Sequence, residues 1–351
     1  MLRLNVICRK HQAMQKLLLG LFIMIGISGC QDSHEPDVSA IKINFKLQRF
    51  EKDFFAIDTL QIDAGLQKLH EKYPEFLQDF LFNVLALPAQ PDSTDVVKRE
   101  VILFIKSYKP VADSAQQVFK NFTPVTKEIE EGLKHVKLYF PQYKIPQKVI
   151  TFIGPINSYG SILTTDALAI GLQLYMGENY PLYQSEAGQQ LYPLYISKRF
   201  APSYIAAGCF KNIISDMYPD NSAGRPLVEQ MIEAGKRLYV LDRILPETAD
   251  TIKTGYSKVQ LDESYENEAF IWSFFLQNDL LFSNDQAITK DYMTDGPKTA
   301  VLGEASPGFI GQFVGWQIVK KWMAKNDKVS LADLMGMNPK KIFEEAKYKP
   351  K

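Results

Sequence analysis

Histidine and cysteine are both scarce in this 351-residue chain, with four of the first and three of the second. No two of His11, His34, His70 and His135 lie three or four apart, so a helical zinc site of the H-E-x-x-H type is absent. A Ser-His-Asp site would need His70 or His135, and neither has an obvious partner nearby. Both sit on amphipathic stretches, where a surface or core histidine is the commoner reading. The sequence also lacks a G-x-S-x-G elbow, a Walker loop, a dinucleotide glycine pattern, internal repeats and low-complexity tracts. It therefore offers no catalytic residue, no cofactor site and no metal site. Of Cys8, Cys30 and Cys209, only Cys209 falls in the body of the chain, so no internal disulfide is expected there.

Long apolar runs are as rare. The main one, Leu17 to Ile27, follows Arg9, Lys10 and Lys16 and closes on Ser28-Gly29-Cys30. A basic start, a short apolar core and small residues before a cleavage point make a secretory signal, too short to span a bilayer comfortably. With cysteine after the small pair, the pattern resembles a bacterial lipobox. That resemblance implies acylation of Cys30 and cleavage before it. The expected organisation is a signal at 1–29, a polar tether at 30–40 and one α+β domain over 41–351.

Charge narrows the partners. Removing the four basic residues before Cys30 from 40 leaves 36 against 40 acidic ones, a net −4. A mildly acidic protein is a poor match for nucleic acid, and it has no broad attraction to anionic lipid. The expected membrane contact is the lipid on Cys30 alone. Hydrophobic residues at 46% and aromatics at 12% are ample for a sizeable core and exclude a disordered passenger.

Periodicity gives the class. Ile41 to Phe50 alternates like a half-buried strand. Helical spacing follows over 58–87, 95–107, 113–122 and 126–140, with Asp95 and Asp113 as caps. Lys148 to Gly154 and Ala167 to Leu172 read as strands of a small mid-chain sheet. Helices return over 202–217, 226–241 and 263–276, and in a last one capped by Ser306-Pro307. The predicted class is α+β, mostly helical.

Few side chains stand out as chemical candidates. Glu229 and Glu233 share a helix face with Lys236 and Arg237 one turn on, a pattern of ordinary surface pairing more often than of acid–base work. Asp262, Glu263, Glu266 and Glu268 complement a helix dipole. Gly308, Gly311 and Gly315 fall on one side of the last helix, which lets another backbone approach. Trp316, Trp322, Phe309 and Phe313 are expected to fill the core. Tyr175, Tyr180, Tyr183, Tyr192 and Tyr195 form either a recognition surface or the lining of a groove.

Arg49 to Phe55, Tyr73 to Phe76, Tyr139 to Pro141, Ile170 to Gly177, Met231 to Lys236, Asn267-Glu268 with Ile271-Trp272, Ser306 to Trp316 and Tyr348 to Pro350 stand in a telling order. Together they resemble the gliding-motility lipoprotein GldB family of Bacteroidetes. The resemblance implies a non-catalytic, lipid-anchored (palmitate-bearing) envelope protein needed for gliding, with partners in the gliding and type IX secretion machinery. The middle third is also similar to zincin-like peptidases. There the helix from Pro202 would hold the metal motif, and Glu233 sits where a third ligand comes; without histidine the scaffold would be a degenerate one. The alternatives are accordingly a lipid-anchored hydrolase, peptidase or glycan-active, and a carbohydrate- or peptide-binding module.

Overall fold

The computed structural model describes residues 36–89, 94–165 and 167–350. Cys30, the expected signal and most of the tether lie outside these residues, as does Asp166. The compact unit begins at Val38 and continues to the end of the chain.

A four-stranded mixed sheet lies among many helices. Strand β1 (Lys46–Arg49) runs straight into α1 (Phe50–Phe54). Then come α2 (Ile62–Lys72), α3 (Pro74–Gln78), α4 (Thr94–Val118) and α5 (Thr123–Tyr139). Strands β2 (Lys148–Phe152), β3 (Ser161–Leu163) and β4 (Ala167–Gly171) complete the sheet in the order β1-β2-β4-β3. β1, β2 and β4 are parallel, and β3 returns antiparallel along the edge. β4 is buried throughout, and β2 from Val149 to Phe152, which is why both read as continuous apolar runs rather than alternating ones.

The second half is helical: α6 (Ile205–Met217), α7 (Leu227–Ile244), α8 (Lys258–Glu266), α9 (Glu268–Gln277), α10 (Gln286–Met293), α11 (Ile310–Met323), α12 (Leu331–Gly336) and α13 (Pro339–Ala346). One continuous core runs from Phe50 to Ala346. At its N-terminal side the Phe50 ring sits 4.8 Å from Phe80, 5.0 Å from Phe76 and 5.1 Å from Tyr73. Such aromatic pairs add about 0.5–1.5 kcal/mol each beyond their burial.

Four local expectations change. The strand expected over Ile41 to Phe50 pairs only at Lys46–Arg49; Ile43 and Phe45 pack on the core without joining the ladder. The helices expected over 95–107 and 113–122 are one, α4, which passes through Pro110. Proline forfeits one helical hydrogen bond, but Val111, Ala112 and Ala115 bury the same face beyond it. Asp113 is thus a mid-helix residue paired with Lys109, not a cap. Conversely, the helix expected over 263–276 is two, α8 and α9, broken at Asn267. Its side-chain amide donates to the Glu263 carbonyl at 3.0 Å and competes with the backbone ladder. Finally, α11 starts not at Ser306-Pro307 but after Phe309, which adopts a left-handed φ of 56°. The Tyr256 hydroxyl donates to the Phe309 carbonyl at 2.9 Å and holds that turn.

Candidate functional site

β4 ends at Gly171, and the chain turns through Leu172–Leu174 beneath the loop that carries β3 to the sheet edge. Gln173, wholly buried, ties that loop down. Its Oε1 accepts from the Gly154 N–H at 3.0 Å, and its Nε2 donates to the Tyr159 carbonyl at 3.1 Å. Gly171 permits the fit, because a Cβ there would lie 2.1 Å from the Tyr159 oxygen.

Beside this edge α6 packs against β3. Asn212 on α6 donates through Nδ2 to the Ser161 carbonyl at 2.8 Å and to its Oγ at 2.9 Å. One turn earlier is Gly208, where a Cβ would meet the Tyr175 hydroxyl at 2.9 Å. Gly160 leaves similar room on the strand side, at 3.0 Å. The result is a cleft of about 360 Å³ floored by Tyr175, Gly208 and Asn212, with Lys211 and Arg199 as its charges and Phe200, Tyr204 and Ile252 among its walls. Among the described residues no aspartate or glutamate lines it. Arg199 and Tyr204 continue into a second recess toward Tyr195, Tyr256 and Gln260.

Lys211 is solvent-exposed on α6 and lines both this cleft and a neighbouring recess that holds Asp220. Partial loss of hydration lowers its pKa to about 8, repulsion from Arg199 adds to the shift, and Asp295 opposes it. Arg199 is braced by Asp295 through Nη2. Burial pushes the Tyr175 phenol up, with repulsion from Cys209 adding and a hydrogen bond from Ser161 opposing. Burial does the same to the Cys209 thiol, which is fully buried on α6 and so is a packing residue rather than a nucleophile.

The other candidates do not converge here. His70 is exposed, and the buried His135 ring places Nδ1 3.0 Å from the Glu131 carbonyl. Glu233 is not beside the α6 cleft. It accepts from Lys236 at 2.9 Å, lies 3.8 Å from Arg225 and lines a separate recess against Met335–Pro339. Nor is Lys236 a surface partner as its spacing suggests. It is 1% exposed and donates to the Met335 and Met337 carbonyls, both at 3.0 Å. Burial lowers its pKa while Glu233 opposes the shift. The acids of 262–268 disperse: Asp262 to Lys258, Glu263 to Asn267 and Glu268 to Tyr348. The tyrosines divide. Tyr183 is a core residue donating to the Gln173 carbonyl at 2.6 Å, while Tyr175 and Tyr195 line the cleft and its extension. Among the described residues no three His, Cys, Asp or Glu side chains come together as a metal-ligand set.

Sequence reasoning missed Lys211, Arg199, Ser161 and Asn212. The available signal was Lys211-Asn212 in the middle of the otherwise apolar helix IAAGCFKNII.

The class these observations define is a helix-dominated α+β protein with a cationic cleft beside the β3 edge of a small sheet. No described helix is long and apolar enough to cross a membrane. The chain belongs to the family of the gliding motility protein GldB, whose model matches residues 31–350. No curated protein matches it, and no solved structure does. Several stretches that carry the family resemblance serve as scaffold. Arg49 and Glu51 form an internal ion pair at 2.6 Å, Tyr348 donates to Glu268, and Ile170–Gly177 builds the cleft floor.

Proposed function

We propose that this protein is a lipid-anchored component of the gliding apparatus, attached through Cys30, which acts with the secretion machinery by contact rather than turnover. Family membership over nearly the whole chain gives the gliding role. What supports contact is the make-up of the cleft. Of the α6 residues that line it, Ala207 and Gly208 offer no functional group, and the Asn212 amide is spent on Ser161. The charged groups of the lining are Lys211 and Arg199, the second already paired with Asp295 through Nη2, and Lys211 is suited to holding an anion.

Deleting the gene tests the reading. Colony spreading and secretion of surface proteins should both fail, and a complementing copy should restore both. Normal spreading, or loss of spreading with normal secretion, overturns the link between the two. Stoichiometric metal in the purified protein, or loss of function from Glu233→Ala in a protein that still folds, would instead favour a hydrolase.

A further inference from the structure

We infer that the cleft beside β3 is a docking site for an extended peptide segment bearing a carboxylate, which adds to the sheet along Ser161 and Leu163 and places its carboxylate at Lys211 and Arg199. The inference rests on the contact reading above and names what is contacted.

The first argument is hydrogen bonding. Gly171 N–H donates to the Gly160 carbonyl at 2.8 Å and Thr164 N–H to the Ala167 carbonyl at 2.9 Å. Ladder bonds alternate, so residues 160, 162 and 164 face β4, and residues 161 and 163 face away. Asn212 takes the outward carbonyl of Ser161. Among the described residues nothing takes the outward N–H of Ser161 or either outward group of Leu163. Proteins usually blunt such an edge with proline, charge or a covering element. Ser161-Ile162-Leu163-Thr164 has neither proline nor charge, and α6 caps the edge at the Ser161 carbonyl through Asn212. An added strand supplies the missing partners.

The second argument is charge. Among the described residues Lys211 and Arg199 are the charged ones in the cleft lining, and Asp295 pairs with the Arg199 Nη2. Lys211 directly precedes the residue that grips Ser161, so its charge belongs at the Ser161 end of the edge. An acidic segment complements that charge. The neighbouring Phe200, Tyr204 and Ile252 offer an apolar wall for the side chain beside the carboxylate.

The test uses the full chain purified in detergent and fluorescein-labelled peptides of about eight residues, alternating valine and threonine and ending in glutamate. Anisotropy should show saturable binding. Replacing glutamate by lysine, N-methylating alternate backbone nitrogens, or making Lys211→Met should each weaken it about tenfold or more, the size of one charge-assisted hydrogen bond. Comparing a C-terminal amide with a free acid lacking the glutamate side chain identifies which carboxylate is read; either preference supports the inference. No binding by any peptide, or binding indifferent to both charge and N-methylation, overturns it, as does self-association through β3 in its place. Cleavage of a bound peptide would sink the contact reading and leave the docking site standing. Absence of binding in a protein that still supports gliding sinks only the docking site.

Discussion

Gly235 of α7 and Gly315 of α11 meet backbone to backbone. A Cβ on Gly235 would lie 2.1 Å from the Gly315 carbonyl carbon, and one on Gly315 would lie 1.6 Å from the Met231 oxygen. The two helices bury Met231, Ile232, Trp316 and Val319 around this contact. Alanine gains about 1 kcal/mol over glycine in a helix interior, but backbone cannot move aside as a side chain can. The clash should dominate, at the upper end of the about 1–3 kcal/mol typical of overpacking. Urea unfolding should therefore show Gly315→Ala and Gly235→Ala each losing about 2 kcal/mol net. Gly336, with nothing within 4 Å of its would-be Cβ, is the control. Gly336→Ala should be neutral or slightly stabilising.

Glu51 is 2% exposed, accepts from Arg49 Nε at 2.6 Å and takes a hydrogen bond from the Thr151 hydroxyl at 2.5 Å. Removing the carboxylate strands Arg49, whose Nη2 is itself buried without a partner. Glu51→Ala should cost about 3–5 kcal/mol. Glu51→Gln, which keeps the shape and one acceptor, should cost less. The pH dependence has a definite sign. Burial raises the Glu51 pKa above its ordinary 4.5, against the opposing pull of Arg49 and Thr151. The folded state then holds this proton at pH values where the unfolded chain has released it. Its contribution is full below about 4.5 and falls as pH climbs through the raised folded value. Stability measured at pH 4 and pH 7 should show Glu51→Gln costing less at the higher pH. A cost that grows with pH would contradict this.

What is legible in the sequence depends on which interactions are local. The apolar runs of β2 and β4, the helical spacing of α7 and the glycine side of α11 each report on their own element, and each is found in the structure. The cleft is not local. Ser161 and Asn212 are 51 residues apart, and Arg199 meets Asp295 across 96. No spacing rule brings these together, because only the β3 return and the packing of α6 do so. Lys236 departs from its spacing for the same reason. Its i,i+3 partner suggests the surface, while the distant 335–337 turn encloses it.

Lys211 should be the most readily acylated lysine of the cleft region near neutrality. An amine with a pKa near 8 has a substantial unprotonated fraction near neutrality, where one at the ordinary 10.5 does not. Brief treatment with an acetylating reagent between pH 6.5 and 10, followed by peptide mass spectrometry, should show Lys211 modification rising half-maximally near 8. The carboxylate peptide should protect Lys211. A Lys211 profile with no rise near 8 would contradict the lowered pKa.

Cys30→Ala tests the anchor. The residue stands behind the apolar run Leu17 to Ile27, and the thiol is the chemistry that a lipobox requires. Each acyl CH₂ buried in the bilayer contributes about 0.8 kcal/mol, and one chain gives only reversible binding, so stable attachment takes two. With Cys30→Ala no acyl chain can be added. Labelled palmitate should disappear from the protein, which should either leave the membrane fraction or persist as the longer, uncleaved form. The core from Phe50 to Ala346 is built from residues well beyond the signal. The urea midpoint of the soluble product should therefore match that of the acylated protein in detergent. Gliding should fail although the domain is folded, because a protein that works by contact must be held at its place of contact. Retained palmitate on Cys30→Ala protein would refute the assignment, and retained gliding by released protein would refute the need for the anchor.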